Sequence, residues 1–190
     1  MLKKDYKLVV IGGSLGGMDG VITILSRLPE DFKIPIVIAL HRMKNVKSSL
    51  EELIQKKVKL KVNGAEDKMK IASGNVYIAP ANYHLLIEKD GTLSLDNAGS
   101  VNYSKPSIDL LFESAAWCCK HHVVGILLTG ANADGSAGLH AIKEAGGITI
   151  VQDPLESVAP TMPLNAIRRF DVGNICTLDQ IAELLIKMNQ

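Results

Sequence analysis

Short runs of β-branched and aliphatic residues, each followed by a stretch with helical periodicity, constrain this chain more than any other feature. Lys7-Leu-Val-Val-Ile-Gly12, Ile36-Val-Ile-Ala-Leu40 and Val123-Val-Gly-Ile-Leu-Leu128 carry no polar alternation, and a further strand is read at Ile148 to Gln152. Such runs suit strands buried on both faces rather than strands with one wet side. Helical patterns are read at Met18 to Leu28, Ser48 to Lys56 (with Ser48 or Ser49 as cap), Ser107 to Lys120 and Ser136 to Ala145, and short helices begin near Pro163 and at Leu178. Buried strands alternating with helices specify an α/β fold, a doubly wound, mostly parallel sheet with helices on both faces. Between Val58 and Leu95 the pattern is shorter and more β-like, with strands at Val76–Ala79 and His84–Glu88 and a hairpin turn at Asp90-Gly91. We read that whole stretch as a short antiparallel appendage to the parallel sheet.

A chain of 190 residues fits a single domain spanning 1–190, and a hydrophobic fraction of 47% supplies a core. Charge excludes some functions. Lys and Arg number 21 against 20 Asp and Glu, without the clustered basic excess of a nucleic-acid or anionic-membrane binder. The densest basic stretch, Lys56-Lys57-Val58-Lys59-Leu60-Lys61, reads as the solvated face of an edge strand. Cys118, Cys119 and Cys176 have neither disulfide-framework nor metal-ligand spacing, so reduced thiols and a cytoplasmic location are expected. The apolar run Leu8 to Ile11 is too short for a signal peptide, and nothing approaches a membrane span.

Ligands of doubly wound sheets bind beyond the carboxyl ends of the strands. Three polar residues fall at such ends: Ser14, His41 and Asp134. A hydroxyl, an imidazole and a carboxylate are the set that acyl transfer needs. Gly12-Gly13-Ser14-Leu15-Gly16 satisfies G-x-S-x-G between a strand and a helix, where a sharp turn exposes the serine Oγ. The Leu15 amide, near the start of the following helix, is a candidate oxyanion donor. A phosphate-cradling turn is the competing reading of the same glycines. Against it, Ser14 takes the place of the glycine that lets a pyrophosphate approach, and His41 stands where a ribose-binding carboxylate is expected. Among the other histidines, His121 and His122 sit at a helix end, His140 inside a helix, and His84 in the β-like stretch is the one rival base. Asp134-Gly135 before a helix also reads as an ordinary turn.

With these residues in view, the sequence resembles the catalytic domain of the bacterial chemotaxis protein-glutamate methylesterases, the CheB family. The matching segments are Val10-Ile-Gly-Gly-Ser14-Leu-Gly-Gly17, Leu40-His41, Val76-Tyr-Ile-Ala-Pro80, Tyr83-His-Leu-Leu86, Pro106-Ser-Ile-Asp-Leu-Leu-Phe112, Leu128-Thr-Gly130 with Asp134-Gly135, and Met162-Pro163. The resemblance implies Ser14 as nucleophile, His41 as general base, Asp134 as third member, and the Leu15 and Ala131 amides as oxyanion donors. It implies demethylation of glutamate methyl esters on methyl-accepting chemotaxis receptors, with deamidation of receptor glutamines, and no metal or cofactor. The only link to a membrane would then run through those receptors. The chain departs from the family pattern in three places. Ala131 stands where methionine is frequent, Arg42-Met43-Lys44 lacks a proline, and a first strand at Lys7 leaves no room for an N-terminal receiver domain. A nucleotide-binding module built on 12–17 and a catalytically silent receptor-binding domain are the alternatives from other classes.

Overall fold

Every residue of β1 (Leu8–Gly13) is buried, and the reason lies in the strands beside it. β1 pairs in parallel with β2 (Ile36–Leu40) on one side and β7 (Val123–Leu127) on the other. A computed structural model describes residues 6–41, 50–101 and 104–190 of the chain. Within it, β3 (Lys61–Gly64), β4 (Asn75–Ile78), β8 (Ile148–Gln152) and β9 (Asn174–Cys176) complete a seven-stranded sheet in the order β3-β4-β2-β1-β7-β8-β9. All of its pairings are parallel. β5 (His84–Ile87) and β6 (Leu93–Asp96) form a separate antiparallel hairpin.

Alternate residues of the central strands serve two cores. Val9, Ile11, Ile36, Ile38, Ile126 and Leu128 face the side covered by α1 (Gly17–Arg27), α2 (Leu50–Gln55) and α6 (Leu178–Met188). Leu8, Val10, Val37, Ala39 and Leu127 face the hairpin together with α3 (Ile108–Cys119), α4 (Ser136–Glu144) and α5 (Thr161–Arg169). Burial on both faces explains why these strands read as unbroken apolar runs.

The α/β doubly wound reading therefore holds, with one correction. The stretch 58–95 is not wholly an appendage, because β3 and β4 are parallel members of the main sheet and only the hairpin stands apart. β4 presents Val76 and Ile78 to one core and Tyr77 to the other, the same two-faced pattern as the longer strands. Its four residues are too few to distinguish a parallel strand from an antiparallel one by periodicity. The basic stretch ends in an edge strand, but that strand begins only at Lys61. β9 was not anticipated; its three residues carry one exposed Ile175 and no run of apolar positions. The predicted caps Ser48 and Ser49 lie outside the described residues, as do Arg42, Met43 and Lys44.

The order of the strands fixes where a ligand can reach the sheet. From β1 the chain crosses to β2 on one side, while β7 lies on the other, and sheets of this order take their ligands beyond the carboxyl ends of the strands at such a switch point. Gly16, the residue before α1, has φ +81°, and a Cβ there would come within 2.8 Å of Val158. The turn above β1 therefore needs glycine twice over, for its dihedral and for its close neighbour. Gly16→Ala is expected to lower the unfolding free energy by about 1–2 kcal/mol, measured by urea denaturation, with more loss if Val158 cannot yield.

Candidate functional site

Ser14 is the first residue beyond β1, and its seat is built from backbone. Its N–H donates to the Thr129 carbonyl at 2.9 Å, extending the pairing of β1 with β7, and its carbonyl accepts from Gly17 N at 2.7 Å, closing the turn into α1. Thr129 acts as a peg for this turn. Its hydroxyl lies 3.0 Å from the Leu15 carbonyl and accepts from Ala159 N at 2.8 Å. Its own N–H donates to buried Gln152 Oε1 at 2.8 Å. Gly130 lies against the serine, since a Cβ on it would fall 3.0 Å from Ser14 Cβ and closer still to Met162. Ser14 remains partly open to solvent while Thr129 and Gly130 are buried.

His41 continues β2 by one residue, and its N–H donates to the Gly13 carbonyl at 3.1 Å, which places it directly beside the Ser14 turn. Its Nε2 lies 2.7 Å from Asp134 Oδ2. The ring is largely enclosed, with the side chain 13% exposed, and the carboxylate is fully covered.

Asp134 is held by more than His41. Its Oδ2 also accepts from Ile108 N at 2.8 Å. Its Oδ1 accepts from Ser107 Oγ, Asp109 N and Gly135 N, each at 3.1 Å. Ser107 is the N-cap of α3 and Ile108 its first residue, so the carboxylate sits on the positive end of that helix. Burial alone would raise its pKa, but the His41 ring and the Ile108 and Asp109 amides outweigh that and hold it below the ordinary value. An ionised Asp134 only accepts. The proton of the shared bond therefore belongs to His41 Nε2, and Nδ1 is the nitrogen left with a lone pair.

The structure thus brings His41 and Asp134 into contact and sets Ser14 on the adjoining turn. Ser14 Oγ makes no hydrogen bond among the described residues, to His41 or to any other group. Catalytic hydrogen bonds of this kind commonly tighten only when substrate is bound. The Leu15 and Ala131 amides, one after β1 and one after β7, likewise donate to no acceptor among the described residues.

His84, the rival base, has another task. It is fully buried, its Nδ1 accepts from Ser107 N at 3.0 Å, and its Nε2 donates to the Gly99 carbonyl at 2.9 Å. Both nitrogens are committed to backbone, so the neutral ring fastens the cap of α3 to the 97–101 segment. Four residues that support the site were not given that role from the sequence: Thr129, Ser107, His84 and Asp109. Each lies in a segment matched to the family pattern, yet nothing in composition or spacing separates such a support from ordinary core.

A thiol nucleophile is disfavoured. Burial, with Cys119 and Glu88 nearby, pushes the Cys118 thiol up to about 11, and burial also raises Cys119 and Cys176. Among the described residues no cluster of three or more His, Cys, Asp or Glu is arranged to hold a metal ion, and no helix is long and apolar enough to cross a membrane.

A family model described as CheB methylesterase matches residues 9–185. A relative from Leptospira interrogans, assigned by name to the protein-glutamate methylesterase/protein-glutamine glutaminases, is 46% identical over 186 residues, covering 98% of this chain and 96% of its own. A Carboxydothermus hydrogenoformans protein-glutamate methylesterase/protein-glutamine glutaminase is 39% identical across 95% of this chain, but only 55% of that protein is matched. The crystal structure of the Thermotoga maritima CheB methylesterase catalytic domain superposes with a TM-score of 0.91 at 32% identity, covering 96% of this chain and 98% of that one.

The depressed pKa of Asp134 has a stability consequence with a definite sign. A carboxyl whose folded pKa lies below its unfolded value of about 3.9 stabilises the fold above that value, and the contribution fades as pH falls toward the folded pKa. Asp134→Asn is therefore expected to melt lower than wild type near neutral pH. The gap should narrow as pH falls below about 4, as followed by thermal denaturation across pH.

Proposed function

The chain belongs to the CheB methylesterase family, and from that membership we propose that it hydrolyses γ-methyl esters of glutamate on chemotaxis receptors. Deamidation of receptor glutamines by the same acyl transfer is part of the proposal. Ser14 is the nucleophile, His41 the general base and Asp134 its orienting carboxylate. Residues 1–190 act as one catalytic domain, in the cytoplasm, where the signalling ends of such receptors are reached. The carrying observation is the 2.7 Å bond between His41 Nε2 and Asp134 Oδ2, placed one backbone hydrogen bond away from the turn that presents Ser14.

The steps follow from the positions of these groups. With Nε2 protonated toward Asp134, His41 accepts the Ser14 proton at Nδ1 as Oγ attacks the ester carbonyl. The imidazolium so formed faces an ionised carboxylate, which favours it by Coulomb attraction. The carbonyl oxygen becomes an oxyanion, and the unengaged Leu15 and Ala131 amides are the donors at hand, worth about 3–4 kcal/mol each when well aimed. Collapse of the tetrahedral adduct breaks the C–O bond to the methoxy group, which takes the proton from His41 and leaves as methanol. Water, deprotonated by His41, then attacks the acyl-enzyme and releases the glutamate carboxylate and free Ser14. For a glutamine the leaving group is ammonia. No cofactor enters this scheme.

A protein-borne substrate is supported by the surroundings of Ser14. Leu15 is 59% exposed, and Val158 (70%) and Leu155 (95%) project from the loop that Thr129 pins to the Ser14 turn. Exposed aliphatic side chains around a nucleophile suit contact with another protein surface more than enclosure of a small molecule. The two alternatives are not favoured. At the end of β2, where a nucleotide reader needs an acid for the ribose, stands an imidazole bound to a buried carboxylate. A silent receptor-binding domain would have no use for that pair, whose burial is costly unless compensated.

Ser14→Ala is expected to cut methanol release from methylated receptor by about 10⁴–10⁶ while leaving the melting curve intact. A fluorophosphonate probe should label the wild-type protein once, at Ser14, and the variant not at all. Substantial turnover by the variant would remove the proposal.

A further inference from the structure

Behind Asp134 lies a second buried carboxyl that the reaction scheme does not use. Asp109, 6% exposed, is the second residue of α3. Its backbone N–H donates to Asp134 Oδ1 at 3.1 Å, and its own Oδ1 accepts from Gly138 N, in the first turn of α4, at 2.8 Å. α3 and α4 cross here with little space between them. A Cβ on Gly138 would lie 2.6 Å from the Asp109 carbonyl oxygen and 2.6 Å from Phe112 Cβ. Asp109 therefore spans the first turns of two helices, at the point where the α3 terminus holds the carboxylate bound to His41.

Two carboxylates in one buried site repel each other, and one of them is driven to keep its proton. Asp134 has five donors, including His41 and two α3 amides. Asp109 counts the Gly138 amide among its partners, and it faces Asp134 from the loop before α4 and Glu113 from its own helix. α4 contributes an amide there, and His41 bonds to the other member of the pair, at Asp134 Oδ2. Burial, then the neighbouring Asp134 charge, pushes Asp109 up to about 6, despite the opposing Gly138 bond.

We infer that Asp109 is a positioning residue for the proposed reaction: by holding or releasing a proton it sets how much negative charge stands behind His41. Protonated, its carboxyl donates to Asp134 and disperses the charge that favours the imidazolium. Ionised, it adds a second negative charge to the site and strengthens that attraction. The hydrolase would thus be slowed by mild acid through a group that touches neither Ser14 nor substrate.

The inference rests on the hydrolase reading, so its test has one arm with turnover and one without. Asp109→Asn keeps an acceptor for Gly138 N and a donor toward Asp134, and it mimics the protonated carboxyl at every pH. On methylated receptor, kcat of the variant is expected to be about three- to tenfold below wild type near pH 8. KM should be unchanged, and the two profiles should converge on the acid side of the Asp109 transition, expected near 6. A constant ratio at all pH, the mark of a merely structural loss, or no difference at any pH, would overturn it. In the second arm, carbon-13 carboxyl NMR of the Ser14→Ala protein should show one aspartate titrating in that range, with the His41 ring resonances following the same midpoint. This signal requires no hydrolysis, so a failed hydrolase reading leaves it in place. An aspartate set that titrates entirely below about pH 5 would sink the inference.

Discussion

The carboxylate of Asp134, lodged at the amino end of α3, is the joint on which the site depends. An isolated buried carboxylate is costly in free energy and would be expected to take up a proton. Here the α3 cap supplies the Ser107 hydroxyl and the Ile108 and Asp109 amides, with Gly135 and the His41 ring completing the set. Those α3 amides have no partner inside the helix, because the first turn of any helix leaves them unsatisfied. One placement therefore satisfies the helix end, keeps the acid ionised and fixes the proton of His41 on Nε2. The orientation of the His41 ring is a consequence of how α3 begins.

That dependence extends outward through the fold. Ser107 is held by His84, whose other nitrogen grips the Gly99 carbonyl, so the hairpin strand β5 and the segment after β6 steady the cap. On the opposite wall, Thr129 ties the Ser14 turn to the loop before α5 and to Gln152 at the end of β8. Ser14 and the His41–Asp134 pair are thus held by separate scaffolds that meet where His41 N–H bonds to the Gly13 carbonyl. Substrate is the remaining partner that would bring Oγ and the ring together.

How much of this was legible in the sequence depended on whether the signal was local. Val9, Ile11, Ile36 and Ile38 announce buried parallel strands because both faces of each strand are apolar, and the glycines of 12–17 announce the sharp turn. Ser14, His41 and Asp134 could be named because each closes or follows such a strand. β3, β4 and β9 were misread or missed because strands of three or four residues have no periodicity to read. Their pairing is decided by long-range contacts such as Val76 with Ile36. His84 looked like a candidate base because a sequence does not reveal that both ring nitrogens meet backbone. Asp109 went unremarked because an acid in the first turn of a helix stands in a favourable place on dipole grounds alone.

Asp109 also shows why burial and charge must be weighed together at this site. Removing its charge by protonation relieves repulsion with Asp134, yet the same proton adds a donor to a carboxylate that already accepts five hydrogen bonds. α3 and α4 cross closely beside the two groups, with Gly138 pressed against the Asp109 carbonyl and Phe112. That close crossing keeps both carboxyls in one buried site, where burial and charge act on each other and on the His41 ring beside them.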